Sequence, residues 1–132
     1  MTAGLAPSLV SGWLNTLRSA GTSYPAVAGT FAQLHTGDPG AAGTASISAG
    51  STTRNSSTFA ASTSGSALAL SGAPAAWTNG GTSETLTHIS VWTAATGGTF
   101  LFSVALTASK AWAAGDQFTL TSLGASLSPQ SS

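Results

Sequence analysis

The first twenty residues carry a helical pattern of apolar positions. Apolar side chains recur at intervals of three and four residues, at Leu9, Val10, Trp13, Leu14 and Leu17. This spacing gathers them into one stripe along a helix. Pro7 suits a first helical turn and Gly21 is placed to end the helix, so we predict a helix over residues 7–20. Its stripe either covers the open end of a sheet or docks on a neighbouring subunit.

From about residue 27 onward, apolar and polar residues alternate in short runs, as is typical of β-strands. In residues 29–35, GTFAQLH, one face of the predicted strand holds Phe31, Gln33 and His35. Further runs, separated by Gly, Pro or Ser, are TTRNSSTFAA, SALALS, AAWTNGG, TLTHISVWT, TFLFSVALT and two short runs near the end of the chain. Seven or eight such strands predict an all-β fold, a single antiparallel, jelly-roll-like β-sandwich with an N-terminal helix. We expect one domain over residues 1–132, with the sandwich at 27–128 and a frayed tail at 129–132.

Two connections in this pattern are informative. AATGG, residues 94–98, lies between two alternating runs and predicts a β-hairpin. In the second of those runs Phe100, Phe102 and Val104 are expected to share one buried face. Residues 36–51 are too long for a tight turn and are predicted to form a surface loop.

The stretch LHTGDPG, residues 34–40, brings a histidine close to an acid. Asp side chains readily bond the backbone that follows them, Pro39 fixes one backbone angle, and Gly40 supplies the freedom that a turn needs. We therefore interpret His35, Asp38, Pro39 and Gly40 as a structural turn rather than an active site. His35 is expected to bond a loop carbonyl at the end of its strand.

Charge is scarce along the whole chain. Only 5% of the residues are Asp, Glu, Lys or Arg, and the net charge is zero, against about 25% charged residues in ordinary soluble domains. Such a chain has nothing to attract nucleic acid or an anionic membrane, and it lacks the repulsion that keeps monomers apart. An assembly is therefore the expected working form. Leu9, Trp13 and Leu17 are the candidate contacts within it.

The residue types that carry chemistry are equally scarce. The ionisable side chains are Asp38, Glu84, Asp116, His35, His88, Arg18, Arg54 and Lys110, and cysteine is absent. The acids fall at predicted turns or strand boundaries, the histidines lack a metal-ligand spacing, and no G-x-S-x-G elbow is present. We expect no catalysis, no cofactor and no metal site. No apolar run is long enough for a membrane span and no secretory signal pattern opens the chain, which favours production in a cytoplasm.

Aromatic residues raise one binding alternative. Sugar-binding sandwiches stack ligands on exposed rings, and this chain has Trp77, Trp92, Trp112, Phe100 and Phe102. Most of these rings occupy alternating strand positions, where burial in the core is the default. A glycan partner would be favoured if two of the rings were exposed on one face.

Several motifs together resemble a small family of bacteriophage virion proteins that are labelled tail fibre or capsid decoration proteins. The family's Leu-His-Thr-x-Asp-Pro-Gly strand end is matched by residues 34–40, and its strand with an Arg before Thr-Phe by Arg54 and Thr58-Phe59. THISVWTAATGG, residues 87–98, is similar to the family's Trp-bearing hairpin, and ALTASKAWAAGDQF follows it. The resemblance extends over residues 7–128 and implies a virion component without catalysis.

The chain departs from this family pattern at two places. GTASISAGS, residues 43–51, lacks the acid that commonly follows the first loop, and Thr93 stands where an Asp often follows the Trp. The resemblance therefore implies no ion or salt-bridge role at these positions.

Three hypotheses follow. The favoured one is a capsid decoration, or minor capsid, protein: a homotrimer that binds the major capsid protein of the assembled shell, with Leu9, Trp13 and Leu17 as candidate contacts. The alternative is a tail fibre or minor tail protein that contacts tail proteins and the host surface. A carbohydrate-binding module or small cell-wall hydrolase is the remote third. In the first two the protein belongs to a virion assembled in the host cytoplasm, with no nucleic-acid or membrane partner.

Overall fold

A computed structural model describes residues 3–18, 25–62 and 67–126. Within them lie α1 (Pro7–Thr16), β1 (Thr30–His35), β2 (Asn55–Ala60), β3 (Ala67–Gly72), β4 (Trp77–Thr78), β5 (Glu84–Trp92), β6 (Phe100–Trp112), β7 (Gln117–Phe118) and β8 (Gly124–Ser126). The strand pairs are antiparallel and form a six-stranded sheet of order β6-β5-β1-β2-β3-β8 and a ribbon of β4 and β7. The prediction of an all-β, sandwich-like fold with an N-terminal helix is confirmed. The tail at 129–132 lies outside the described residues.

The helix is shorter than predicted. It ends at Thr16, and the following turn is closed by bonds of three-residue span, from Leu17 N to the Leu14 carbonyl and from Arg18 N to the Asn15 carbonyl. This tighter turn is a common way to end a helix. The predicted end at residue 20 and the stop at Gly21 fall outside the described residues.

The apolar stripe of α1 is divided between the core and the surface. Leu9 is only 4% exposed and belongs to the core, so its side chain is not available as a contact with another molecule. Trp13, Leu14 and Leu17 are 38%, 61% and 81% exposed. Of the three candidate contacts, Leu9 is therefore buried within the chain, while Trp13 and Leu17 are exposed beside Leu14.

The segment before α1 lies along the edge strand β6. Ala6 N donates to the Leu101 carbonyl at 2.7 Å, Ser103 N donates to the Gly4 carbonyl at 2.8 Å, and Leu5 bridges Phe102. These bonds satisfy backbone groups that an edge strand would otherwise leave open. They also fix where α1 begins, beside the first half of β6.

The central strands are buried on both faces. One face is apolar: Ala32 lies opposite Val91 and Leu34 opposite Ile89, all with 0% exposure. The ribbon adds Trp77 and Phe118, whose ring centroids lie 6.1 Å apart, to the same core. The other face of β1 carries Gln33 and His35, which are also buried. This polar second face needs a cover that supplies hydrogen-bond partners.

Residues 36–54, which we call the covering loop, provide that cover. The loop turns back on β1, because Thr36 N donates to the Ser46 carbonyl at 2.8 Å and Ser48 N donates to the Leu34 carbonyl at 3.0 Å. The loop lies at the surface as predicted, with residues 41–42, 44–47 and 49 exposed, but its inner residues Pro39, Gly43 and Ser48 are buried against the sheet.

A β-bulge changes the predicted face of one aromatic residue. Val91 pairs with Phe102, but the adjacent Trp92 pairs with Phe100, so the register shifts between them. Phe102 therefore lies on the apolar face near Phe59, at 6.1 Å between ring centroids, while Phe100 packs on Trp92 at 5.5 Å on the other face. The prediction that Phe100 and Phe102 share a face is wrong, because the extra residue of a bulge breaks the alternation. Both are buried.

Gly43 provides a direct test of this packing. Its φ is +74°, and a Cβ there would lie 2.6 Å from the Phe100 ring and 2.9 Å from the Trp92 ring. We expect Gly43→Ala to lower the free energy of unfolding by about 2–4 kcal/mol, from overpacking and left-handed strain. Chemical denaturation measures it. The control is Gly97→Ala, where φ is +65° and nothing lies within 4 Å, with an expected loss of about 1 kcal/mol. Equal losses would contradict the packed loop.

Candidate functional site

His35 is the centre of a buried polar chain beneath the covering loop. Its Nδ1 lies 2.8 Å from the Ala45 carbonyl and its Nε2 lies 2.7 Å from the Ser90 hydroxyl. A carbonyl can only accept, so Nδ1 carries the hydrogen and Nε2 accepts from Ser90. The Ser90 oxygen in turn accepts from the Trp92 indole at 2.8 Å. In this assignment each donor has one acceptor, which suits a neutral His35 ring with its hydrogen on Nδ1.

The surroundings favour that neutral state. Burial lowers the pKa of His35 below its ordinary value, and the bond to the Ala45 carbonyl offsets only part of this effect. The nearby His88 and Arg54 lower the pKa further by charge repulsion. At neutral pH this histidine is therefore a structural hydrogen-bonding group.

Arg54 ties the end of the covering loop to the hairpin between β5 and β6. Its guanidinium carbon lies 3.8 Å from the centroid of the Trp92 ring, which is a cation–π contact. Its Nε donates to Gln33 at 3.2 Å, and one terminal nitrogen donates to the Ala94 and Gly97 carbonyls at 3.1 and 2.6 Å. The positively charged guanidinium of Arg54 is therefore bound within the fold by Gln33, Trp92 and two backbone carbonyls.

Glu84 anchors the middle of the covering loop. Its carboxylate accepts from the Ser48 hydroxyl, from Ala49 N at 3.1 Å, from Gly50 N at 3.0 Å and from the Trp112 indole at 3.2 Å. Burial by itself raises the pKa of Glu84, but the bonds from Ser48, Gly50, Ala49 and Trp112 outweigh it and lower the pKa below its ordinary value. The ionised carboxylate is therefore part of the folded structure.

Of the predicted turn residues, His35 belongs to the buried chain of hydrogen bonds, whereas Asp38 and Gly40 form a turn of their own. Asp38 accepts from Gly40 N at 2.8 Å, and Gly40 has a φ of +73° that suits a glycine. Asp38 is not a partner of His35, since both ring nitrogens of His35 are taken by Ala45 and Ser90. Asp116 likewise accepts from Ala113 N at 2.9 Å within its own turn. Asp38 and Asp116 therefore each stabilise a local turn.

Sequence reasoning missed three members of this arrangement. Glu84 begins β5 and bonds the covering loop and Trp112, and neither it nor Gln33 and Ser90 was named as a candidate site residue. One sequence signal for this buried polar face was available, namely the alternation of polar with apolar residues along two strands. Gln33 and His35 alternate with apolar neighbours in β1, as His88 and Ser90 do in β5. Polar side chains at core-facing positions of two strands indicate a buried hydrogen-bonded face.

The aromatic rings considered for sugar binding are buried in the described structure. Trp77, Trp92 and Trp112 are 1%, 6% and 2% exposed. Two exposed rings on one face, the condition for the glycan alternative, are therefore not found among these three. In the described part of the chain no group of three or more His, Cys, Asp or Glu residues could hold a metal ion. No helix among the described residues is long and apolar enough to cross a membrane.

Comparison with known families gives a match over nearly the whole chain. The model of the family described as podophage GP4 fiber I protein gp80 matches residues 7–128. The chain belongs to this family. It is a bacteriophage virion structural protein, and the resemblance to a phage virion family is confirmed at that level. A search of curated proteins found none that matches.

Ser90→Ala tests the chain of hydrogen bonds that joins His35, Ser90 and Trp92. The substitution leaves the Trp92 indole and His35 Nε2 buried without a partner. We expect the free energy of unfolding to fall by about 1–3 kcal/mol, measured by chemical denaturation at neutral pH. The matched control is Ser56→Ala on the exposed side of β2, with an expected change within about 0.5 kcal/mol. If both variants matched the wild type, the chain of bonds would carry no stability.

Asp38→Asn separates a turn from an active site. An Asn oxygen can still accept from Gly40 N, so the expected loss of stability is below about 0.5 kcal/mol. Phage particles that carry the variant should remain infectious. Loss of infectivity with an unchanged melting temperature would instead favour a functional role for the LHTGDPG stretch.

Proposed function

We propose that this protein is a component of the phage tail fibre, acting as a compact tip or adaptor domain. The observation that carries the proposal is the family match over residues 7–128, because the description of that family names a fibre protein. This supports the tail-fibre alternative over capsid decoration, which the small size and the lack of a fibrous repeat had favoured. The described residues form short strands of one sheet and a two-stranded ribbon, with no fibrous shaft among them. The proposed role is therefore that of a module that joins or ends a fibre.

The proposed role is a structural one without catalysis. Supporting it, the groups that a reaction centre would need are engaged in holding loops: His35 by Ala45 and Ser90, and Glu84 by four donors. Asp38 and Asp116 accept bonds within their own turns. A side chain that is bonded on all its polar atoms can take part in a reaction only at the cost of those bonds.

We further propose that the protein works as a homo-oligomer, with three copies as the expected number, and binds other tail proteins. The contact surface would be the exposed part of the α1 stripe, Trp13, Leu14 and Leu17. Large apolar side chains side by side on a nearly uncharged chain favour association over solvation. A particle that carries many copies also multiplies weak contacts by multivalency.

The position of the protein in the particle tests the fibre proposal. Gold-labelled antibody raised against the folded domain should mark the tails of intact phage in electron micrographs. Label spread over the capsid surface would overturn the proposal in favour of decoration of the shell. Particles that lack the protein are the control for specific labelling.

Light scattering tests the proposed association. The purified wild-type chain should have about three times the mass of one chain, and the double variant Trp13→Gln, Leu17→Gln should have the mass of a monomer. Val27→Gln is the control, because Val27 is 39% exposed but lies outside α1. A wild type that stays monomeric at high concentration would contradict the proposal.

A further inference from the structure

The covering loop is held on the sheet by two groups that can take up a proton. His35 at its start donates to the Ala45 carbonyl while it accepts from Ser90, and Glu84 receives four hydrogen bonds, three of them from residues 48–50. The first arrangement requires a neutral histidine and the second an ionised carboxylate. Acid reverses both states.

We propose that the covering loop is an acid-released segment, which detaches from the polar face of the sheet at low pH while the six-stranded sheet beneath it stays folded. Nothing in this inference depends on the proposed place of the protein in the tail.

Protonation of His35 breaks the directional chain of bonds. With a hydrogen on Nε2, the His35 ring would donate to the Ser90 oxygen, which can accept this bond together with that from the Trp92 indole at 2.8 Å. The Ser90 hydrogen would lose its acceptor, because the Nε2 lone pair is taken by the proton. The new charge would also lie in a buried position near Arg54 and His88. The bond to the Ala45 carbonyl survives. The main cost is the new charge itself, because His35 is 0% exposed beneath the loop and its charged ring can be hydrated only when the loop lifts from the sheet.

Protonation of Glu84 acts on the middle of the same loop. A neutral carboxyl accepts weaker bonds than a carboxylate, and its own O–H becomes a donor that faces other donors. The groups affected are the Ser48 hydroxyl, the amides of Ala49 and Gly50, and the Trp112 indole. Two of these donors are backbone amides of the covering loop. Loss of the carboxylate therefore frees the loop where it is held most densely.

The two titrations work in the same direction. The pKa of His35 is lowered from 6.5, mainly by burial, so its contribution to stability is complete above pH 6.5 and declines as the pH falls below that value. The net effect of burial and the bonds from Ser48, Gly50, Ala49 and Trp112 lowers the pKa of Glu84 from 4.5, so its contribution is present above pH 4.5 and is lost as the pH falls through its folded value. Release should begin with His35 and be completed by Glu84.

Other charged groups lie on the elements around these two. The loop itself carries Asp38 and Arg54, β5 carries His88, β6 carries Lys110, and Asp116 lies in the turn after β6. Of these, Arg54 and His88 act on His35 by charge, and both disfavour its protonated form. Both charges therefore make the protonation of His35 less favourable while the loop is folded on the sheet.

The sheet beneath does not share this dependence. Its apolar face is built from pairs such as Leu34 opposite Ile89 and Ala32 opposite Val91, which have no ionisable atoms. The loop is held by hydrogen bonds and by the buried Pro39 and Gly43, while its largest apolar side chain, Ile47, is 37% exposed. We therefore place it at the low-stability end of the fold. Its release would uncover the Trp92 and Phe100 rings, on which Gly43 and Arg54 lie.

Amide hydrogen exchange measured by mass spectrometry on the full chain tests the proposal. Exchange is compared at about pH 7, 6 and 5, after correction for the intrinsic pH dependence of the chemical rate. Protection of residues 36–54 should fall by up to about tenfold per pH unit below pH 6.5, the limit for one titrating group. Protection of β1 and β5 should change little. Equal loss in the loop and the sheet, or no loss in the loop, would overturn the proposal.

Variants assign the effect to its groups. His35→Asn keeps a donor for Ala45 without a titrating ring, so loop protection should become independent of pH between about 6.5 and 5. His88→Asn is the matched control. It should keep a pH-dependent loss of loop protection, somewhat smaller in extent because one charge that repels protonated His35 is gone, and among the described bonds His88 bonds only its neighbour Thr87. If the pH profile persisted in His35→Asn, the role of His35 would be refuted. Should that variant fail to fold, the wild-type comparison of loop and sheet still decides the proposal.

Discussion

The second face of the central sheet carries Gln33, His35 and Ser90 where a sandwich would ordinarily bury apolar side chains. These groups can be buried only because the covering loop returns over them with hydrogen-bond partners, since an unsatisfied buried polar atom costs about 1–3 kcal/mol. Among the described residues no buried side-chain nitrogen or oxygen is left without a partner. The path of the loop, and with it the positions of Glu84 and Arg54, follows from this constraint.

Several of the few ionisable side chains serve to hold loops and turns in place. In an ordinary soluble domain most charges lie on the surface, but here Arg54 and Glu84 each hold a loop against the sheet, and Asp38 closes a turn. What remains for the surface is largely small and uncharged. A virion protein of this kind is suited to act by shape and by many contacts. The exposed side chains of α1, Trp13, Leu14 and Leu17, are the contact surface that we propose for it.

Local patterns predicted much of the architecture, and non-local contacts account for most of what they missed. Alternation placed Gln33 and His35 on one face of β1, and apolar spacing placed α1. The end of α1 was missed because a tighter final turn leaves no mark in the spacing of apolar residues. Phe100 was assigned to the wrong face, because a bulge of one residue inverts every later position and no residue type signals it.

The polar chain illustrates the same limit. The bond between His35 and Ser90 joins residues 55 positions apart, and it exists only in the register that sets Gln33 opposite Ser90. Glu84 could be seen as a lone acid but not as the acceptor of four bonds from the covering loop and β6. A single sequence shows that such polar residues share a strand face, but it does not show which of them are hydrogen-bonded to each other.

The central claim, that a buried neutral His35 joins the loop to the sheet, can be measured directly by the ¹⁵N chemical shifts of the imidazole nitrogens of His35 in labelled protein. The account predicts, at neutral pH, the shifts of a neutral ring with its hydrogen on Nδ1. A protonated ring, or a neutral ring with its hydrogen on Nε2, would contradict it.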